Sequence, residues 1–242
     1  MNFEEFQGLF TLALQKNGLS ALDSRQVEQF HRFALHLAEV NERTNLTAIR
    51  QIPDMIDKHF VDSLPISAYI PPNARVLDIG CGPGFPSFPL AIARPDLEIV
   101  ALDSTAKKIA FINETTSLLG ISNLLGVAGR AEDLKTGQTL GKFDVVVSRA
   151  VARLNILSEL ALPYVKIGGS LIAMKGAKAE EEFNEAGHAL SVLGKCNTKL
   201  ISTPLTVQSG ETEARYLIIS TKTAETPPQY PRAFGAISKK PL

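Results

Sequence analysis

The residues best placed to do chemistry lie between Arg75 and Ala110. They form the run Arg75-Val76-Leu77-Asp78-Ile79-Gly80-Cys81-Gly82-Pro83-Gly84-Phe85-Pro86 and, further on, Leu97-Glu98-Ile99-Val100-Ala101-Leu102-Asp103-Ser104. The first apolar run ends in three alternating glycines, and the second ends in an acid. Glycine has no Cβ, so such a loop can turn sharply and let a ligand approach its backbone. An acid closing the second run can accept hydrogen bonds from the hydroxyls of a ribose. Together they read as the holder of an adenosine-bearing cofactor.

The spacing of the glycines separates two such cofactors. A dinucleotide loop wants G-x-G-x-x-G, with a helix N-terminus aimed at the pyrophosphate. Here the spacing is Gly80-x-Gly82-x-Gly84, and Phe85-Pro86 stand where a last small residue would pack. Pro83 and Pro86 also remove two backbone N–H groups from any phosphate cradle. S-adenosylmethionine has no phosphate, and Asp78 suits its cationic amino end while Gly80 and Gly82 give close approach. Asp78-x-Gly80-x-Gly82-x-Gly84 therefore favours a methyltransferase over a nicotinamide oxidoreductase. A glycine turn without a ligand is the weaker reading, because Asp103 falls where an adenosine needs it.

Further residues fall at the ends of later apolar runs, where loops line the crevice of a doubly wound sheet. Ala131 and Glu132, in Arg130-Ala131-Glu132-Asp133, are candidates for the adenine amino group; Glu132 could instead be a surface acid opening a helix. Ser148-Arg149-Ala150 follows the fourth run, where a methyl acceptor would sit. The Asn/Asp-Pro-Pro-aromatic sequence used on exocyclic amines is not there, and Cys81 and Cys196 are misplaced for a covalent route to a base carbon. Arg149 remains, a planar five-donor cation suited to a guanine edge or a phosphate, with an ion pair to Asp144 or Glu132 as its structural alternative. Such a site makes sense if the acceptor is guanine N7, which has a free lone pair and no proton to remove. Alignment and electrostatics then carry the reaction. Among His31, His36, His59 and His188 only His59 is a site candidate. Cations that could hold RNA are Arg43, Lys58, Arg149, Lys175, Lys178, Arg215, Arg232, Lys239 and Lys240.

These groups need elements to position them. The 242 residues suffice for one sizeable α/β domain with an extension, and zero formal net charge excludes an indiscriminate polyanion binder. Two cysteines exclude a disulfide framework and a cysteine-rich zinc site. With no signal segment ahead of Met1-Asn2-Phe3-Glu4 and no apolar run of membrane length, the protein is expected to be soluble and cytoplasmic. Phe3, Phe6, Phe10 and Leu14 mark one amphipathic helix, and Val27, Phe30, Phe33 and Leu37 a second, with Ser20 as its expected N-cap. Asn41 to Asn45 reads as a polar break before a short helix near 52–57. Strands are expected near 76–79, 98–102, 124–128, 143–148 and 169–174, with helices between them. The runs at 197–203 and 214–220 should add an antiparallel pair at one edge. The expectation is residues 1–70 as a helical cap, 71–222 as a Rossmann-like domain with a seven-stranded, mostly parallel sheet, and 223–242 as an extended, proline-bearing tail, either lying over the body or mobile.

Nearly the whole chain resembles the RsmG (GidB) family, bacterial methyltransferases of guanine N7 in small-subunit ribosomal RNA. The resemblance rests on Asn45-Leu46-Thr47-Ala48-Ile49, on His59-Phe60-Val61-Asp62-Ser63-Leu64, and on the glycine run. It rests also on Leu102-Asp103-Ser104-Thr105-Ala106-Lys107-Lys108, Arg130-Ala131-Glu132, Ser148-Arg149-Ala150-Val151-Ala152, Met174-Lys175-Gly176 and the tail from Tyr230. It implies a class I S-adenosylmethionine-dependent fold, with cofactor contacts at Gly80, Phe85, Asp103, Ser104, Thr105, Ala131, Glu132 and Arg149. Asp78 and Gly82 join this set from the loop reading. Arg149 and Lys175 are the candidates for the catalytic region, and Arg43, His59, Lys175, Arg215 and Arg232 for RNA contact. The implied partner is 16S ribosomal RNA, one guanine of a decoding-centre loop, presented in a small-subunit particle to a monomeric enzyme. No metal and no membrane are expected. The same fold acting on another RNA, a protein or a small molecule, and an adenosine-sensing or ribosome-binding module without catalysis, are the readings it must beat.

Overall fold

Five short apolar runs become the parallel core of a sheet because both of their faces are covered. The computed structural model describes residues 1–133 and 140–242. Strands β1 (Arg75–Ile79), β2 (Glu98–Asp103), β3 (Leu124–Ala128), β4 (Phe143–Arg149) and β5 (Val165–Lys175) pair in parallel, each with its neighbours. Successive side chains point to opposite faces. Val76, Ile99 and Val145 enter one core cluster, and Leu77, Val100 and Val146 enter the other.

The expected antiparallel pair is present, with a different placement in detail. Strand β6 (Asn197–Ser202) forms the edge, and the later strand β9 (Tyr216–Thr221) slots between it and β5, antiparallel to both. The order is β3-β2-β1-β4-β5-β9-β6. The segment joining β6 to β9 is more than a hairpin turn: it carries a small ribbon of β7 (Leu205–Thr206) and β8 (Thr212–Glu213). Chain order reverses direction between β1 and β4, so the crevice of the sheet opens beyond the carboxyl ends of those two strands. The glycine loop leaves β1 there and Arg149 ends β4.

Helices α1 (Phe3–Lys16), α2 (Ser24–Thr44), α3 (Ile52–Met55), α4 (Ser87–Ala93) and α5 (Ala106–Leu119) serve the first cluster. The phenylalanine stripe is core: Phe6, Phe10, Phe30, Phe33 and Phe60 are fully buried, with neighbouring rings such as Phe10 and Phe30 at 4.8 Å. The first seventy residues therefore share one core with a face of the sheet. Asp23, not Ser20, caps α2; its carboxylate accepts from Gln26 N while the Gln26 side chain returns to Asp23 N. Nor does the helix break at Asn41. It runs to Thr44 and stops at Asn45, whose φ of 49° ends the ladder. Buried Asn41 uses its side chain to hold both N and O of Thr47. The short helix also continues, through a π-helical turn (Ile56–Phe60) and a 3₁₀ stretch (Val61–Tyr69).

The second face is covered by α6 (Leu154–Ala161), α7 (Ala179–Glu185), α8 (Gly187–Gly194) and α9 (Phe234–Lys239). The last of these corrects the expectation of an extended tail. Ile237 is fully buried, and Arg232 clamps the buried Glu159 of α6 through Nε, NH2 and its backbone N–H. No helix among the described residues is long and apolar enough to cross a membrane.

Candidate functional site

The glycine loop is shaped by the backbone around it. Gly80 and Cys81 donate to Leu102 O at 2.8 and 3.3 Å, which ties the loop to the end of β2. Gly80 has φ +70°, and a Cβ there would meet Val151 Cγ2 at 2.3 Å; Gly84 has φ +104°, and its Cβ would meet the Phe88 ring at 2.3 Å. Both positions combine left-handed backbone with close contact, so only glycine fits. Beside the loop lies a cavity of about 210 Å³ lined by Ile79, Gly80, Asp103, Ser104, Ala131 and Glu132, with Phe234 of α9 at its rim. Asp103 is buried, and its two oxygens accept from Gly82 N at 3.0 Å and Thr105 N at 2.8 Å. Thr105 precedes α5 and lends it no side-chain cap, so the Asp103 carboxylate satisfies that helix start. Each of its oxygens keeps a lone pair for a ribose hydroxyl. Ala131 O accepts from Tyr164 OH at 2.9 Å, and Glu132 sits 3.3 Å from Arg130. The helix expected to open at Glu132 falls partly on residues 134–139, outside those described.

Asp78 is the sharpest test of a cationic ligand. It is fully buried; Oδ2 receives Ser87 Oγ and Ser87 N, while buried Oδ1 has no partner among the described residues. Burial pushes this carboxyl up to about 7, and the Ser87 bonds and Arg149 pull it only partly back. An ammonium group at Oδ1, such as S-adenosylmethionine carries, would supply the missing donors and favour the charged form. Stability of the protein alone should then fall as pH rises from about 4 towards 7, since the unfolded carboxyl ionises first. Cofactor affinity should move the other way, strengthening as pH climbs through about 7. Calorimetric titration across that range checks this, and Asp78→Asn should flatten the profile. Affinity indifferent to pH in the wild-type protein would remove Asp78 from the amino end.

A second cavity, of about 600 Å³, opens on the other side of Val151, which lines both. Its wall includes Lys58, His59, Asp62, Arg149, Lys175 and Arg215. Arg149 does not reach Asp144 or Glu132, the partners considered from sequence. Its NH1 donates to Lys58 O at 2.9 Å and lies 3.4 Å from Asp62 Oδ2, and NH2 donates to His59 Nδ1 at 3.1 Å. Nε–H and one NH2 proton of its five donors are left over. The ring of Phe85 lies against this pair, 4.1 Å from the His59 ring and 5.2 Å from the Arg149 guanidinium carbon. Since Nδ1 accepts from Arg149, the His59 proton sits on Nε2 and goes to Thr47 Oγ1 at 2.8 Å. Burial and the neighbouring guanidinium hold His59 down at about 3, so the ring is neutral. Cys81 is no nucleophile: it is buried, and burial pushes its thiol well above the ordinary range.

The structure brings together Lys58, His59, Arg149, Lys175 and Arg215 around one cavity. It sets Arg43 apart, exposed near the end of α2 and paired with Glu39, and it ties Arg232 to Glu159. Asp62 and Glu182, which the sequence reading left out, also line the large cavity. Asp62 follows His59 by three residues, a helical spacing that puts both on one side, and that signal was available. The π turn before it is a feature frequent at functional sites. Glu182 had no such signal, because it arrives only through the packing of α7 against α6 and strands β6 and β9.

Comparison with known proteins agrees with this geometry. The profile of the family GidB, described as rRNA small subunit methyltransferase G, matches residues 26–207. Ribosomal RNA small subunit methyltransferase G of Brevibacillus brevis is 42% identical over 236 residues, covering 96% of this chain and 98% of that one. The protein of the same name from Staphylococcus saprophyticus is 41% identical over 234 residues, 96% of each. Among solved structures, an O-methyltransferase from Bacillus cereus in complex with SAH superposes with a TM-score of 0.58 at 16% identity, over 91% of this chain and 100% of that one. That likeness is one of fold, and it identifies the seven-stranded sheet as that of a class I methyltransferase. With the profile spanning most of the chain and relatives this similar end to end, the chain belongs to the GidB family of S-adenosylmethionine-dependent small-subunit rRNA methyltransferases.

Proposed function

We propose that this protein methylates N7 of one guanine in the decoding-centre loop of 16S ribosomal RNA. It acts as a cytoplasmic monomer on a small-subunit particle. When bound, S-adenosylmethionine supplies a methyl group on a positively charged sulfur, already activated for transfer. Asp103, with Ser104 and Thr105 beside it, holds the ribose; Ala131 and Glu132 bound the adenine. Gly80, Gly82 and Asp78 take the methionine end, and the spare donors of Arg149 reach its carboxylate. The large cavity takes the extruded base.

One observation carries this reading: among the described residues, each candidate base on the wall of the acceptor cavity is already held by a cation or by a committed proton. His59 has its Nδ1 filled and its proton committed to Thr47, Asp62 is shared by two guanidinium groups, and Glu182 is paired with Lys175. An exocyclic amine or a hydroxyl would need such a base, whereas guanine N7 attacks through a bare lone pair. Lys58, Arg149, Lys175 and Arg215 give the mouth an excess of positive charge over Asp62 and Glu182, which suits a phosphate backbone. The test is mass mapping of RNA from small-subunit particles incubated with the enzyme and methyl-labelled cofactor. A single 7-methylguanine in 16S RNA is expected. Label in protein, in another RNA, or on a different atom of the base would overturn the assignment.

A further inference from the structure

A carboxylate with one bare oxygen stands on the wall of the acceptor cavity. Glu182 of α7 accepts from Leu154 N at 2.9 Å and faces Lys175 Nζ at 2.7 Å, both through Oε2. Among the described residues no donor reaches Oε1. Its partner is equally half-used: Lys175 Nζ bonds Ala152 O and approaches Glu182, which leaves one of three N–H donors. Both side chains are largely withdrawn from water, 7% and 15% exposed, yet both line the cavity. A carboxylate oxygen and an ammonium donor left open side by side on a cavity wall can pair with a ligand that offers the complementary groups.

The order of its groups selects that ligand. Ammonium followed by carboxylate presents a donor and then an acceptor. The Watson–Crick edge of guanine presents the complement: the O6 acceptor, then N1–H and N2–H donors. Adenine offers a donor amine and an acceptor N1 and meets both groups with the wrong polarity. Cytosine and uracil lack the imidazole ring and so have no N7 to present to the cofactor.

We propose that Glu182, assisted by Lys175, reads the Watson–Crick edge of the target guanine and is the base-specificity determinant of the site; this rests on the function proposed above. The role extends beyond recognition. As the N7–CH₃ bond forms and the S–CH₃ bond breaks, positive charge leaves the sulfur and spreads over the purine. N1–H and N2–H become stronger donors at that moment. A carboxylate against them binds the transition state more tightly than the ground state, so part of its contribution belongs in kcat.

The experiment replaces the target guanine with hypoxanthine in reassembled small-subunit particles. Hypoxanthine keeps N7, O6 and N1–H and lacks only the N2 amine. The wild-type enzyme is expected to prefer guanine by about tenfold or more in kcat/KM, the effect of one hydrogen bond to a charged group. In Glu182→Gln that preference should collapse towards one, with the rate on guanine falling far more than the rate on hypoxanthine. Each ratio is taken on a single preparation, so any unfolded fraction cancels. A purely structural Glu182 would lower both rates alike and leave the ratio untouched, which overturns the proposal. So would a wild-type enzyme that treats the two bases equally, whatever the variant does. A wild-type enzyme that methylates neither base points instead to a failure of the function proposed above.

Discussion

Replacing Asp62 with alanine is expected to destabilise the protein by about 3–5 kcal/mol and to abolish measurable methyl transfer. One carboxylate, 9% exposed, serves two guanidinium groups: Oδ1 receives Arg215 Nε at 3.0 Å, and Oδ2 lies 3.4 Å from Arg149 NH1. Burial pushes its carboxyl up, and the two cations pull it only part of the way back. The cluster is therefore a poor source of net stability, yet removing its single anion leaves two cations close together out of water. Arg215 would keep Glu213 at 2.6 Å, but Arg149 would retain only Lys58 O and a neutral His59. Arg149→Ala is the informative contrast. Asp62 then still has Arg215, so the stability loss should be about 1–2 kcal/mol, while turnover falls at least about tenfold with the loss of the guanidinium that lines the large cavity. Urea unfolding and single-turnover rates on both variants separate the two effects. An Asp62→Ala protein as stable as the wild type would show that the cluster is not held by its carboxylate, and a fully active Arg149→Ala enzyme would place the acceptor elsewhere.

The parts of the fold that were legible in the chain are those where a local pattern has one physical cause. Val76, Leu77 and Ile79, and Ile99 to Leu102, are apolar because both faces of a parallel strand are buried, and the glycines mark the backbone that must bend between them. What misled was polarity judged without position. Asn41 to Thr44 looked like a loop, but the segment is the last turn of α2, and Asn41 points inward to hold Thr47. The tail looked extended for its prolines, although a sign of its anchor lay in Leu157-Ser158-Glu159-Leu160-Ala161, where one acid interrupts an apolar helix. Buried Glu159 requires a cation, and Arg232 supplies it. The insertion of β9 between β5 and β6 left no local trace, since strand order depends on contacts between distant segments. For the same reason the cavity proposed for the cofactor, lined by the ends of β1, β2 and β3, was readable in part. The acceptor side was not, because it is assembled from the π turn, the end of β4, the end of β5, α7 and the approach to β9.

The cofactor side makes the second large prediction. Asp103→Ala should weaken S-adenosylmethionine binding by about 2–4 kcal/mol, which is roughly thirty- to thousandfold in affinity. The substitution removes more than the ribose contact. Gly82 N and Thr105 N lose their acceptor at once, and Lys108, 3.7 Å from Oδ2, loses its counter-charge. The glycine loop is then no longer tied to the start of α5, and the cradle that the cofactor needs in advance has to be ordered on binding. Asp103→Asn divides these contributions. The amide keeps one oxygen for a backbone N–H but turns an NH₂ towards the other, so one of the two ties is lost and one ribose bond survives at best. Its affinity should fall between the wild type and alanine. If the carboxylate served the ribose alone, asparagine would cost almost nothing in loop order, and amide exchange at Gly82 and Thr105 would match the wild type. Faster exchange at both positions in the alanine variant, alongside the lost affinity by calorimetry, is the expected pair of results. Unchanged affinity with fast exchange would reduce Asp103 to a helix cap and move the ribose to another acceptor.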